Sequence, residues 1–287
     1  MADYVWTRQL GRARIAVITE GWGRWPLERG LAGVPEEQWR PEVEADHEDC
    51  IRLDLNVVHV ALPGASILLD TGFGEVDPTD PARPVVGIRD ITMTPGVEAG
   101  LATLGVRPAD VTHVLFSHLH GDHVFGATRT VDGRRLPAFP RARYYVTAAE
   151  WRAAPEQHQR ADLVQPQKDA LEAAGVVELL DGEREVLPGV RLIPAAGESP
   201  GHAVVRVDTG DGIVYYLGDL FHQVAEFRHL DWMPRWRDRD TLVATRQRLL
   251  PRFVAERALL VIAHLRFPAV GRVEPAGDAY RWVPVEP

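Results

Sequence analysis

A short apolar run that ends in a cluster of ligand-type side chains is the feature that most constrains this chain. Residues 114–116 are apolar, and residues 117–123 read SHLHGDH. If the apolar run ends a buried strand, His118 and His120 point the same way, because side chains alternate along a strand. Gly121 then lets the backbone turn, so that Asp122 and His123 follow on the same loop. Since a merely polar surface loop rarely carries four such residues at this spacing, the pattern predicts a metal-binding loop at a strand end.

Three further ligand-type residues lie beside apolar runs later in the chain. His202 follows the run at residues 190–194 and precedes another strand-like segment, whereas Asp219 and His264 come directly after such runs. In α/β folds, binding sites are built at the carboxyl ends of strands. We therefore expect His202, Asp219 and His264 to meet the SHLHGDH loop at one edge of the sheets.

These motifs, taken together, resemble the metallo-β-lactamase superfamily, whose signature is His-x-His-x-Asp-His. Residues 70–72 read DTG and match an early turn of that superfamily. The resemblance covers the chain from about residue 57 onward, with Ser117 standing where threonine is common. It implies an α/β fold of the four-layer αββα type, in which two sheets pack face to face with helices outside.

The resemblance also implies two divalent metal ions. The first is assigned to His118, His120 and His202, and the second to Asp122, His123 and His264, with Asp219 as a candidate bridge between them. Two ions so placed lower the pKa of a bridging water and polarise the oxygen of a substrate. Zinc is the expected metal, although imidazole and carboxylate also accept Mn, Fe or Co.

Three side chains near this site are candidates for roles other than binding a metal, or for roles in addition to it. Asp122 and His222 are the candidate catalytic residues. His222 follows Asp219 by three positions and could protonate a leaving group, or it could be an ordinary half-buried histidine. Asp70 could accept a hydrogen bond from a ligand imidazole, or it could simply cap its own DTG turn.

Length, composition and charge set the class of protein. The 287 residues, 45% of them hydrophobic, predict one globular domain over residues 1–287. The single cysteine, Cys50, excludes an internal disulfide and a cysteine-rich zinc site. A formal net charge of −9 disfavours a nucleic-acid partner. No apolar run is long enough to span a membrane, and no signal segment opens the chain, so a cytoplasmic location is expected.

Two arginine- or tryptophan-rich segments have less specific interpretations. Residues 1–50 are expected to form an irregular aromatic arm that lines a pocket, contacts a second subunit in a homodimer, or packs in the core. Residues 228–248 are rich in arginine but interleaved with acids, which predicts an exposed helix surface.

Local patterns predict several elements. A helix is expected over residues 94–104, a second over residues 161–174 and a third over residues 240–258, the last with a kink or break at Pro251. Residues 204–217 predict a hairpin whose turn is rich in glycine.

Departures from known branches narrow the expected activity. Class B β-lactamases generally carry cysteine where this chain has Asp219, and glyoxalase-type thioesterases carry a longer C-terminal region. The segments after Gly218 and around His264 look like the branch of methyl parathion hydrolase and related lactonases. Lactonases of that kind, however, place a tyrosine where this chain has His222.

The sequence thus predicts a dinuclear hydrolase that uses a metal-bridging hydroxide on a small ester, lactone or phosphotriester. Three alternatives stay open. The first is a thioesterase or β-lactam-opening hydrolase, and the second is a mononuclear iron enzyme of the persulfide dioxygenase type. The third is a metal-binding module without catalysis.

Overall fold

Two mixed β-sheets stack face to face in the computed structural model, which describes residues 2–31, 33–80, 87–153 and 161–285. The strands, in chain order, are β1 (Val5–Leu10), β2 (Ala13–Pro26), β3 (Cys50–Leu62), β4 (Ala65–Leu69), β5 (Arg89–Met93), β6 (His113–Leu115), β7 (Thr128–Val131), β8 (Arg134–Pro137), β9 (Arg143–Thr147), β10 (Val177–Leu180), β11 (Arg184–Leu187), β12 (Val190–Pro194), β13 (Ala203–Asp208), β14 (Ile213–Tyr216), β15 (Leu259–Val261), β16 (Val270–Ala276) and β17 (Ala279–Pro284).

The two sheets divide the chain into an N-terminal and a C-terminal half. The first has the order β1-β2-β3-β4-β6-β9-β10, with β5 paired to β2, and the second runs β11-β12-β13-β14-β15-β16-β17. Strands β7 and β8 form a separate hairpin. Parallel pairing joins β4 to β6, β6 to β9 and β14 to β15, so the loops that leave these strands start from the same edge of their sheet.

Seven α-helical segments accompany the sheets in the described ranges: α1 (Leu27–Gly30), α2 (Glu36–Trp39), α3 (Gly96–Thr103), α4 (Gly121–Val124), α5 (Ala148–Trp151), α6 (Ala161–Ala173) and α7 (Arg239–Ala255). The predicted helices over residues 94–104 and 161–174 are confirmed as α3 and α6. None of the described helices is both long and apolar enough to cross a membrane.

Alternation along the strands produces the layers. Leu68 belongs to the core between the first sheet and its helices, whereas its neighbour Leu69 faces the second sheet. In the second sheet Tyr216 faces the first sheet, and Tyr215 packs on the other side against Phe253 of α7, with ring centroids 4.7 Å apart. Successive side chains point to opposite faces, so each sheet has one apolar face against the other sheet and one against helices. The result is four layers, and the predicted αββα sandwich is confirmed.

The expectation of an irregular arm over residues 1–50 is wrong. This region supplies β1, β2, α1, α2 and the first residue of β3, and β2 lies inside the first sheet between β1 and β3. Buried residues of β2 such as Ile15 and Val17 complete the core between the sheets. The strand was missed because glycine, proline and arginine are frequent in this region. Its buried face finds packing partners only in the folded sheet.

Of the kink or break expected at Pro251, the break does not occur, because α7 continues as one helix through that residue. Leu249, Leu250 and Phe253 are buried against the second sheet on both sides of the proline. Packing of this face holds the helix together despite the lost backbone hydrogen bond.

The exposed surface expected for residues 228–248 requires a correction as well. Arg237 and Arg246 are buried, and Arg246 pairs with Glu226 and donates to the carbonyl oxygen of Leu220. A buried guanidinium is tolerated where acids and carbonyl oxygens surround it, and such partners come from segments distant in sequence.

Candidate metal centre

The loop after β6 and the loops that enter β13 and leave β14 and β15 converge at one end of the sandwich. The main-chain N–H of Ala203 donates to the carbonyl oxygen of Ser117, and that of Asn56 donates to the carbonyl oxygen of Ala263. These hydrogen bonds connect the two sheets beside the site. The candidate residues predicted from separate motifs therefore meet in one place.

The first group of candidate ligands contains His118, His120, Glu198 and Asp219, whose ligand atoms lie within 4.8 Å of one another. His120 Nδ1 is 3.2 Å from Glu198 Oε1, and His118 Nε2 is 3.5 Å from Glu198 Oε2. The side chains of His118 and Glu198 are fully buried. Two imidazoles and two carboxylates form a donor set suited to a divalent cation.

The second group contains Asp122, His123 and His264. Asp122 Oδ2 lies 3.6 Å from His123 Nε2 and 3.5 Å from His264 Nε2. Asp122 and His123 lie on α4, which begins at Gly121 as the backbone turns out of the loop. The group combines one carboxylate with two imidazoles.

Asp219 lies between the two groups. Its Oδ1 is 3.1 Å from His123 Nε2 and 2.9 Å from His264 Nε2. Its Oδ2 faces the other way, 3.6 Å from His118 Nε2 and 3.1 Å from His222 Nε2. One carboxylate thus presents an oxygen to each group.

Asp70 anchors the site from behind. Its Oδ2 is 2.7 Å from His123 Nδ1 and accepts the hydroxyls of Ser117 at 2.6 Å and Tyr216 at 2.7 Å, while Oδ1 accepts the Ser117 N–H at 2.7 Å. The contact expected between Asp70 and a candidate ligand imidazole is therefore present. The serine at position 117 keeps the hydroxyl that this network uses.

Charge is shared unevenly among the buried groups. Burial opposes ionisation of Asp219, yet His264 and His123 hold the pKa of this carboxyl well below its usual range. Burial likewise opposes a charge on His123, but Asp122, Asp219 and Asp70 raise the pKa of its imidazole well above the usual value. Protons on imidazoles here supply positive charge that a divalent cation can replace.

The buried atoms at the centre fit a metal site. Among the described residues, no hydrogen-bond partner meets His118 Nε2, His123 Nε2, Asp219 Oδ1 or either carboxylate oxygen of Glu198. Buried polar atoms are normally paired, because leaving them without a partner costs free energy. Divalent cations at the two groups would satisfy these atoms.

His202 lies next to His118, with ring centroids 5.3 Å apart, but outside both groups. Its Nδ1 is 3.1 Å from the carbonyl oxygen of Ala195, and its Nε2 accepts the N–H of Asp219 at 3.1 Å. Burial lowers the pKa of His202 to about 4, so the ring is neutral.

Two functional candidates were missed from the sequence. Glu198 stands four positions before His202, and Arg237 was assigned to an exposed surface. Arg237 Nη1 is 2.5 Å from Glu198 Oε1, and Nη2 is 3.1 Å from His222 Nε2. The only available signal for Glu198 was its place just before the Ser-Pro-Gly turn, and nothing local marked Arg237.

A narrow cleft that opens to solvent lies over the site. Its walls include Trp25, Ile88 and Trp236, together with the guanidinium groups of Arg29 and Arg237. The ring of His222 stacks on that of His264 at 5.2 Å and lies tilted to that of Trp25, also at 5.2 Å. Tryptophan side chains beside a cluster of polar and charged groups suit a small ligand.

The model of the metallo-beta-lactamase superfamily matches residues 52–264, well over half of the chain. The chain belongs to this superfamily. A probable metallo-hydrolase of Mycobacterium tuberculosis is 31% identical, and the match covers 68% of each protein. An N-acyl homoserine lactonase of Bacillus cereus is 31% identical over a shorter match that covers 38% of each protein.

Solved structures of this fold agree over nearly the whole chain. The dizinc quorum-quenching lactonase AidC has a TM-score of 0.80 at 21% identity, with 98% of this chain and 97% of AidC covered. A probable metal-dependent hydrolase from Staphylococcus aureus has a TM-score of 0.81 at 19% identity, with coverages of 98% and 99%. These two likenesses show the shared fold. With its metallo-hydrolase relatives and a buried His/Asp/Glu cluster, this superfamily member is a metal-dependent hydrolase, as predicted.

Proposed function

We propose that this protein is a dinuclear metallohydrolase that cleaves a small ester, lactone or phosphotriester, with zinc as the expected metal. The observation that carries the proposal is the position of Asp219, which turns one carboxylate oxygen to His123 and His264 and the other to His118. A carboxylate shared in this way supports two neighbouring cations. Two such ions would supply hydroxide at neutral pH and polarise the scissile carbonyl or phosphoryl oxygen.

The protein's own residues hold and orient the reacting groups. The Asp70 network fixes the ring of His123, since hydrogen bonding of the second ring nitrogen orients a ligand histidine. Trp25, Ile88 and Trp236 form the apolar part of the cleft wall, beside the guanidinium groups of Arg29 and Arg237, and this mixed lining suits a small substrate. The lactonase names among the relatives support an ester or lactone bond as the target.

His222 is the candidate proton donor for the leaving group. Its Nε2 lies 3.1 Å from both Asp219 Oδ2 and Arg237 Nη2. A ring nitrogen donates to a carboxylate only when it is protonated and accepts from a guanidinium only when it is not. Nε2 therefore makes only one of these two hydrogen bonds at a time, depending on whether it carries a proton. This position suits a residue that gives a proton to the leaving group.

Metal analysis combined with a substrate panel tests the proposal. We expect two zinc-like ions per chain and turnover of at least one member of a panel of a γ-lactone, a nitrophenyl ester and a phosphotriester. A chelator should abolish that turnover, and added zinc should restore it.

Three outcomes would reject it. One iron per chain with oxygen consumption on a persulfide would point to an oxygenase. Hydrolysis confined to a thioester or a β-lactam would change the substrate class. Bound metal without turnover on any of these would leave a binding module.

A further inference from the structure

We propose that Arg29 binds a carboxylate group of the substrate, so that the preferred substrate is an ester or lactone that also carries a carboxylic acid. This inference rests on the proposed metallohydrolase and names a residue that determines its specificity. Arg29 lines the same cleft as the candidate metal ligands His120, Asp122, Asp219 and His264. A molecule that fills this cleft therefore contacts both the guanidinium and the metal centre.

Arg29 is exposed and has no acidic partner among the described residues. This distinguishes it from the other arginines of its region, since Arg24, Arg40 and Arg52 each pair with a carboxylate at 2.7 Å or less. A guanidinium has five N–H donors and no acceptor, so it needs oxygen atoms to satisfy it. The donors of Arg29 are therefore open to an anion that enters the cleft.

Two neighbours hold the guanidinium of Arg29 in place. Its Cζ lies 5.6 Å from the centroid of the Trp236 ring, a cation–π contact that orients the planar group. Gly87 lies so close that a Cβ added there would stand 2.8 Å from Arg29 Nη1. A side chain at position 87 would thus displace the guanidinium. A group held in this way loses less freedom when a ligand binds to it.

The backbone that carries Arg29 is fixed relative to the metal centre. In α1, Leu27 and Gly30 are buried, and a Cβ added at Gly30 would lie 2.7 Å from the ring of Trp25. Trp25 in turn contacts the ring of His222, with centroids 5.2 Å apart. Packing thus connects α1 to the residue beside the candidate ligands, and Arg29 keeps a defined place in the cleft wall.

The charges in the cleft match a carboxylate. Arg237 also lines the cleft, but it is buried, and Glu198 and Asp219 offset its charge at 2.5 Å and 3.7 Å. Among the described guanidinium groups of the cleft, Arg29 is therefore the one whose charge is available. Its planar fork matches the two oxygens of a carboxylate, and its single charge matches that group better than a phosphate monoester with nearly two.

Matched substrates with and without the negative charge test this inference. The mono-4-nitrophenyl esters of adipic and suberic acid carry a carboxylate, and their methyl esters are neutral molecules of nearly the same size. For at least one chain length, KM of the metal-loaded wild type should be about 10-fold lower for the acid, because a hydrogen bond to a charged group strengthens binding this much. The kcat values should be similar, since the contact is made in the ground state and the transition state alike.

Three variants identify the residue responsible. Arg29→Gln should raise KM for the acids about 10-fold, so that acid and methyl ester are bound equally. Arg29→Lys should keep part of the preference, because lysine retains the charge but not the planar fork. The matched control is Arg89→Gln, which removes the same charge from an exposed arginine of β5 that lies 3.9 Å from Glu28 and is not part of the cleft wall. It should keep the full preference.

The N-methylamides of the same two acids give a readout that does not require ester cleavage. As competitive inhibitors of whichever substrate is turned over, they should bind more tightly than their methyl esters, and Arg29→Gln should remove that difference. Turnover of no ester, lactone or phosphotriester would reject the proposed function itself. With turnover present, equal constants for acid and methyl ester in the wild type would overturn the role of Arg29 alone. A preference that survives in Arg29→Gln would overturn it as well.

Discussion

At the scale of single residues, the site shows how much a side chain's function depends on which of its atoms are already paired. His202 and Glu198 are four positions apart in one loop, and both are buried. The nitrogens of His202 are used by main-chain groups, whereas the oxygens of Glu198 point at two candidate ligands without hydrogen bonds among the described residues.

His222 provides a prediction at the same scale. His222→Ala should slow hydrolysis of a substrate with a poor leaving group by ~10²-fold, because such a group gains most from a positioned acid. The loss should be much smaller for an activated nitrophenyl ester, since a good leaving group would need no proton donor beside a bound metal ion. Steady-state rates on both substrates, with metal content measured in parallel, check this expectation.

His229→Ala is the matched control, because His229 stacks on Trp232 away from the candidate ligands. It should leave both rates unchanged. Equal losses on the two substrates in His222→Ala, or loss of metal, would assign His222 a structural or ligating role instead.

At the scale of secondary-structure elements, short strands position the site and buried polar contacts fix the loops between them. Glu20 on β2 accepts the N–H of Phe73 at 2.7 Å and also contacts the backbone of Val97 at the start of α3. Glu150 on α5 accepts the N–H groups of Leu119 and Gly201, one from each ligand-bearing loop. Side chains of the N-terminal sheet and its helices thus hold the backbone of these loops in position.

Glu20 makes the stability of the protein depend on pH. Burial raises the pKa of this carboxyl from 4.5 to about 7. A raised pKa in the folded state gives stability that is complete below pH 4.5 and is lost as the pH rises through 7. Relative to Glu20→Gln, the metal-free wild type should therefore lose about 3 kcal/mol of unfolding free energy between pH 4.5 and pH 8.

Urea unfolding of both proteins at pH 5, 6.5 and 8 measures this difference. Glutamine keeps an acceptor oxygen for the Phe73 N–H, so the variant should fold. Stability curves that run parallel across this range would contradict the role assigned to Glu20.

At the scale of the whole molecule, the candidate metal centre joins the two halves of the sandwich. His118, His120, Asp122 and His123 follow a strand of the first sheet, whereas Asp219 and His264 follow strands of the second. The aromatic residues Trp25 and Trp39 of the N-terminal region are buried within the chain, in a cluster with Trp232. The homodimer stays a prediction, and these two tryptophans are not free to support it.

Metal removal should therefore destabilise the entire fold. Ions that bind only the folded state stabilise it by an amount that grows with the logarithm of their free concentration divided by Kd. The gain is about 4 kcal/mol when that concentration is a thousand times Kd. Dialysis against a chelator should lower the melting temperature by at least several degrees, and added zinc should restore it. Calorimetry of the stripped and reloaded protein measures the shift, and identical melting temperatures would show that the ions do not hold the sheets together.

The sequence by itself determined the fold class and most of the site. Apolar runs that end in His118, His120, Asp219 and His264 place ligand-type residues at strand ends, and strand ends converge in a layered α/β fold. The early DTG turn gave Asp70 its place behind the loop. The fold class is confirmed, and these side chains meet at one end of the sandwich, because both depend on alternation and local spacing, which a single sequence displays.

Only the tertiary structure decided what depends on partners far apart in the chain. The strand β2 was hidden because its apolar face has partners only in the folded sheet. Arg237 is buried because Glu198 and Asp219, distant in sequence, neutralise it. Burial and hydrogen-bond pairing are properties of the assembled chain, and local sequence pattern does not encode them.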